Sequence, residues 1–246
     1  MCVFLSLLAD KANLVKRFDS TFVEEEYFGP KYFQSAFEFP KWPVIGAEKP
    51  REIQMMTWGL IPSWIKDQES AKKFRVSTVN ARAETIYEQP AFRRAARDKH
   101  CLVLADGFFE FREHNGKKYP YYIRVRDGRP FALAGLYEYW THPGTGETIP
   151  GFSIITTVAN PLMEIIHNRK KRMPVILSED QERDWLKPGE LFRELLKPYP
   201  DEKMEAWPVS RRISERGSGK NVAELLDHVD YPELDSPKLS TGLLFE

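Results

Sequence analysis

Apolar residues along the chain fall in short runs, closer to strand than to helix spacing, cut by Pro, Gly and charged positions. The run CVFLSLLA at 2–9 has strand length. The segment AFEFPKWPVIGAEKP at 36–50 carries three prolines and predicts a loop or an extended edge. A strand is predicted at 52–58, ending at Gly59 and Pro62, with Trp58 and Trp64 flanking that turn. Period two in VSTVNARAE at 76–84 predicts an extended segment with Thr78, Asn80, Arg82 and Glu84 on one polar face. Pro90 and the stripe Phe92, Ala95 and Ala96 predict a helix over 90–99, roofed by Arg93, Arg94 and Arg97.

Asp106-Gly107 and Asp127-Gly128 each read as the turn of a hairpin between aromatic-rich strands. The stretch GFSIITTVANPLMEIIHN begins as a strand and switches at Asn160 and Pro161 to a short helix ending at His167. MPVIL at 173–177 reads as a buried strand, and SEDQ at 178–181 as a capping box opening a helix that Pro188 and Gly189 interrupt. One domain is expected over 1–228, with 229–246 a loosely held tail.

Composition narrows the class. The chain of 246 residues is 42% hydrophobic and 29% charged, ordinary for a globular protein with a full core. Two cysteines, Cys2 and Cys101, form neither a disulfide framework nor a metal-binding pair, so no metal, no cofactor and a reducing cytoplasmic setting are expected. No basic residue precedes the first apolar run and no apolar stretch reaches eighteen residues, so neither a signal peptide nor a membrane span is expected. Thirty-six basic residues balance thirty-six acidic ones, which argues against gripping duplex nucleic acid by overall charge. Any nucleic-acid site must be local, and FRRAARDKH at 92–100 and HNRKKRMP at 167–174 concentrate the cations.

Position 2 adds chemistry. A cysteine in an apolar run is ordinarily a small buried hydrophobe. It is also small enough for the initiator methionine to be removed, which would leave an α-amine and a thiol on one residue. An α-amine with a pKa near 7.7 to 8.0 is on the order of a third neutral at pH 7.4, whereas a lysine is neutral about one time in a thousand. Such a 1,2-aminothiol can take an aldehyde as an imine and close a five-membered thiazolidine, or its thiol alone can attack an acyl group.

The ordered series MC, WGLIPSW, NARAET, GFFEF, AGLYEYW, IITTVAN and IHNRKKRMPVIL resembles the SOS-response-associated peptidase (SRAP) family from Cys2 to about Leu177, and more weakly through WPVSRRIS near 207–214. The resemblance implies an α+β fold, a single domain whose antiparallel β-sheets form a barrel-like core flanked by short helices. It implies a monomer that binds single-stranded DNA and reacts through mature Cys2 with the ring-opened aldehyde of an abasic site, leaving a thiazolidine crosslink. In a bacterium this protein would work in the cytoplasm, beside the nucleoid.

Carried over by position, Cys2 is the nucleophile, Asn80 holds the terminal residue and the sugar, and Glu110 and His167 are the acid-base pair. A carboxylate among Phe108, Phe109 and Phe111 should have a raised pKa, and a histidine near 6.5 could protonate the sugar oxygen as the aldehyde opens. The DNA contacts expected are Arg82, Arg93, Thr156, Arg169 and Arg172 for the backbone, with Trp58, Trp64 and Pro43 against bases. The sequence departs from the family pattern in three places. Val3 and Phe4 stand where Gly-Arg is usual, Phe111 replaces a tryptophan, and either Arg169 or Arg172 can be the arginine tied to the Met-Pro pair, with Arg172 favoured. The alternative function is an N-terminal-nucleophile peptidase or amidohydrolase using the Cys2 thiol.

Overall fold

The computed structural model describes residues 2–24, 26, 28–187, 193–215, 219 and 221–234. The strands are β1 (Phe4–Leu7), β2 (Thr21–Phe22), β3 (Lys31–Ser35), β4 (Lys41–Gly46), β5 (Glu52–Trp58), β6 (Asn80–Arg82), β7 (His100–Ala105), β8 (Gly107–His114), β9 (Lys117–Val125), β10 (Phe131–Thr141), β11 (Thr148–Val158), β12 (Arg172–Pro174), β13 (Ile176–Leu177) and β14 (Met204–Pro208). The α-helices are short: α1 (Lys11–Phe18), α2 (Gln68–Ser77), α3 (Ala95–Asp98), α4 (Pro161–Ile166) and α5 (Glu179–Trp185).

Two sheets organise them. One has the order β14-β9-β8-β1-β3; the other runs β12-β11-β10-β7-β4-β5-β2. In the second, β11 also pairs with β5 through Gly151 opposite Thr57 and Phe152 opposite Trp58, so β5, β4, β7, β10 and β11 close a five-stranded barrel. Its interior is apolar: Val44, Val103, Leu133, Trp58 and Phe152 are fully buried. The barrel-like core of an α+β single domain with short flanking helices is what the sequence led us to expect.

The expected hairpins are not formed. β7 and β8, on either side of Asp106-Gly107, lie in different sheets, as do β9 and β10 on either side of Asp127-Gly128. At Asp106 the chain crosses between sheets, and its carboxylate accepts from the amides of Leu8 and Ala9 (2.8 Å for Ala9), tying the end of β1 to that corner. The true hairpin turn is Asn115-Gly116, both at positive φ (49° and 72°), which joins β8 to β9 in register from Phe108 opposite Ile123 to His114 opposite Lys117.

Other expectations shift in extent. β4 is extended but central, between β5 and β7; Pro43 is tolerated because the ladder to β7 begins only at Val44. Thr78 caps α2, so the extended segment of 76–84 shrinks to Asn80–Arg82. The helix of 90–99 is only Ala95–Asp98, preceded by turns. The buried strand at 173–177 divides into β12, paired with β11, and β13, paired with β10. Asn160 caps α4 by accepting from Met163 N at 2.8 Å, and Gln181 accepts from Ser178 N at 3.1 Å at the start of α5. The interruption at Pro188 and Gly189 lies outside the described residues. Residues 229–234 are not loose: Val229 N donates to Pro208 O, and Tyr231 packs edge-on against Tyr119. Positions 235–246 lie outside the described residues.

Candidate active site at the amino terminus

Four elements bring Cys2, Asn80, Glu110 and His167 together. β1 pairs with β8 with Leu5 opposite Phe108 and Ser6 opposite Gly107, and continuing that register outward sets Val3 level with Glu110. Asn80 opens β6, which runs parallel to β11 with Asn80 opposite Ile154. Its Nδ2 donates to Cys2 O at 2.8 Å and to Val79 O at 2.9 Å, while its Oδ1 is buried without a hydrogen-bond partner. Val79 O also accepts from Trp58 Nε1 at 3.0 Å, so the indole in the barrel braces the strand that carries Asn80.

His167 ends α4. Lys171, at φ 48°, reverses the chain into β12, and His167 Nδ1 lies 2.8 Å from Arg172 O. A carbonyl only accepts, so Nδ1 carries the proton and Nε2 is turned toward Glu110, 3.6 Å from Oε2. That spacing is too long for a direct hydrogen bond and leaves room for a bridging hydroxyl or water. Asn168 pins the same loop to β8, exchanging hydrogen bonds with the backbone of Glu113 at 3.0 and 2.8 Å.

Burial sets the electrostatics. It pushes the Glu110 carboxyl up to about 7, against the pull of the amino-terminal charge and Lys170, and pulls His167 down to about 4, helped by the amino-terminal charge, Lys170 and Arg172. At neutral pH these shifts leave the imidazole neutral and the carboxyl able to exchange its proton. The Cys2 thiol is fully buried and is raised above its ordinary range, first by burial and then by Glu110.

The adjoining cleft, of about 370 Å³, is lined by Phe4, Phe37, Phe111, Lys118, Arg169 and Lys170 together with Glu110 and His167. Phe37, half exposed, and Lys118 were missed by sequence reasoning; they stand in unremarkable local contexts and only the fold brings them here.

The expected DNA contacts separate into two groups. Arg82, Arg93 and Arg169 are exposed, Arg169 with Glu113 at 3.3 Å, and Trp64 is half exposed with the edge of Phe74 against it. Trp58 is fully buried, its ring stacked on Phe152, so no base can reach it in this fold. Pro43 is buried beside Leu7 and Met55. Thr156 is buried, and Arg172 is engaged by Glu84 at 2.7 and 3.0 Å and by Thr156 O at 2.6 Å, a clamp across β6, β11 and β12. Among the described residues no group of three His, Cys, Asp or Glu could hold a metal, and no helix is long and apolar enough to cross a membrane.

The chain resembles known proteins over most of its length. Residues 1–216 match the SOS response associated peptidase (SRAP) family. The abasic site processing protein YoqW of Bacillus subtilis is 35% identical over 233 residues, 92% of this chain and 99% of its own. The abasic site processing protein HMCES of Xenopus tropicalis is 32% identical over 213 residues, 78% of this chain and 62% of its own. A crystal structure of a protein from Bacteroides thetaiotaomicron superposes with a TM-score of 0.88 at 37% identity, covering 93% of this chain and all of the other. The chain belongs to the SRAP family.

Proposed function

We propose that this protein processes abasic sites in single-stranded DNA by forming a covalent thiazolidine through Cys2 once Met1 has been removed. The observation that carries the reading is the Asn80 hydrogen bond to Cys2 O, which holds the second residue beside Glu110 and His167.

The chemistry follows from those groups. The neutral α-amine adds to the aldehyde carbon of the opened sugar, giving a carbinolamine. Glu110, half protonated near pH 7, donates to the departing hydroxyl, and water leaves as the imine forms. The thiol sulfur then bonds to the imine carbon while its proton passes to nitrogen; aldehyde and aminothiol become thiazolidine and one water. Neutral His167, through Nε2, orients the hydroxyl exchanged with Glu110. The unpartnered Asn80 Oδ1 is an acceptor for the amine or for a sugar hydroxyl. The raised thiol favours this amine-first order over thiolate attack on an amide, the peptidase alternative. One chain supplies every group used.

Incubation with an abasic single-stranded oligonucleotide should give a shifted band that survives denaturation. A Cys2→Ala protein that still gave the stable band would remove the thiazolidine mechanism, and glutamine or peptide hydrolysis by the wild type would favour the alternative.

A further inference from the structure

Arg75 is an enclosed cation without a counter-charge. It sits in the last turn of α2, five residues before Asn80, and its Nε is buried with no hydrogen-bond partner. No carboxylate lies within ion-pair distance of it among the described residues. The comparably enclosed arginines are satisfied: Arg17 holds Glu182 at 2.6 Å and Arg172 holds Glu84 at 2.7 Å. What Arg75 does have is the Phe39 ring, 5.8 Å from its guanidinium carbon, and the backbone of Gly59, where a Cβ would come 2.5 Å from its Cγ. Gly59, at φ 112°, admits the arginine stem. The C-terminal end of α2 supplies only a partial negative charge. Burial alone acts on the guanidinium, and it acts to lower its pKa.

Two chains of contact lead from Arg75 to the reactive residue. Through Phe39 it meets the turn at 36–38, whose Ala36 N donates to Val3 O at 2.8 Å and whose Phe37 ring faces the cleft. Through α2 it meets Thr78, which bonds Phe74 O and Leu60 O, and then Asn80 and Cys2. The guanidinium is thus held against Phe39, the residue that follows the turn whose Phe37 lines the cleft. Phe4, at the edge of the same cleft, is stacked on Phe33 at 5.0 Å and offers a phosphate no charge. Arg75 is partly buried with its Nε unsatisfied, and an anion at the guanidinium would complete it.

We propose that Arg75 binds a backbone phosphate of the single strand next to the abasic nucleotide. The proposal rests on the function proposed above, and the guanidinium fork suits a phosphate in two-point contact.

The test is equilibrium binding of a single-stranded oligonucleotide carrying a tetrahydrofuran abasic analogue, which has no aldehyde, across a salt series. Arg75→Met keeps the stem against Gly59 and removes the charge. Its plot of log affinity against log salt should be shallower than wild type by about 0.7, so that a fourfold rise in salt costs it about 2.6-fold less affinity. Its melting temperature should not fall, because an uncompensated charge has been removed. Arg75→Lys should keep the wild-type slope. An unchanged slope in Arg75→Met overturns the proposal; if that variant does not fold, Arg75→Gln is read in the same way. Wild-type protein that crosslinks a true abasic strand while Arg75→Met keeps the full slope refutes the phosphate contact alone. Wild type with neither crosslink nor salt-dependent affinity refutes the function as well.

Discussion

Glu110 and His167 face each other beside Cys2 with pKa shifts of opposite sign, and each shift bears on stability. Burial lifts Glu110 from 4.5 to about 7, so the folded protein keeps a proton that the unfolded chain has released, and stability declines as pH rises through that window. Burial drops His167 from 6.5 to about 4, so the unfolded chain is protonated first and stability declines as pH falls from 6.5 toward 4. At about 1.4 kcal/mol per unit, the Glu110 term amounts to roughly 3 kcal/mol above pH 7. Glu110→Gln should therefore melt above wild type at pH 8 and lose that advantage at pH 4.5, as thermal unfolding in matched buffers would show. The same variant should slow crosslinking roughly a hundredfold, the usual worth of a proton-transfer group. The carboxylate's shift was legible in the sequence from its phenylalanine neighbours. The histidine's was not, because its burial and the nearby charges of the amino terminus, Lys170 and Arg172 arise only in the assembled fold.

At the scale of elements, the corners and turns decide whether Glu110 meets its partners. Gly107 has an ordinary backbone conformation, yet a Cβ there would lie 2.3 Å from the Tyr122 ring, which hydrogen-bonds Ser6 on the adjacent strand. Gly116 is at φ 72° with nothing within 4 Å of a Cβ. Gly116→Ala should cost about 1 kcal/mol of backbone strain. Gly107→Ala should cost more, since β8 or the Tyr122 ring must move, and should also disturb crosslinking by displacing Glu110; denaturant melts of the two proteins rank them. The periodic signals located β5, α4 and the start of α5 because each is set by its own residues and caps. The signal at Asp106-Gly107 misled because turn residues also serve at a crossing between sheets, where the Asp side chain binds the amides of Leu8 and Ala9. Whether two strands pair is a long-range matter; Asp-Gly suits a two-residue hairpin as well as Asn-Gly does, yet of these three pairs Asn115-Gly116 is the one that joins two paired strands.

Across the whole molecule, described residues beyond 228 pack back onto the sheets. Tyr231 donates to Val209 O at 2.8 Å, and Glu233 accepts from Tyr119 on β9 at 2.8 Å. A chain ended after His228 should melt several degrees below one ended after Leu234, measured by calorimetry. The four expected catalytic positions converge because the family resemblance carried them; Arg75 and Phe37 carry no motif and are visible only once turn 36–38, α2 and Gly59 are assembled. Trp58 was expected against DNA because an aromatic beside a turn looks exposed. Closure of the barrel by β5 and β11 places it inside, where its indole steadies Val79 and hence Asn80.

The site joins the second residue to positions 80, 110 and 167, and this orders events in time as well as in space. A ribosome delivers Cys2 first and the helix bearing His167 much later, so an aminothiol freed by the proposed loss of Met1 would wait unsheltered until the barrel closes. Any small free aldehyde met in that interval can cap it for good. Folding then withdraws it from solvent, since Cys2 is fully buried. On the function proposed above, discrimination between a sugar aldehyde in DNA and the cell's loose aldehydes would be a property of the finished fold, and a slow folder would lose its reactive end before it had a site.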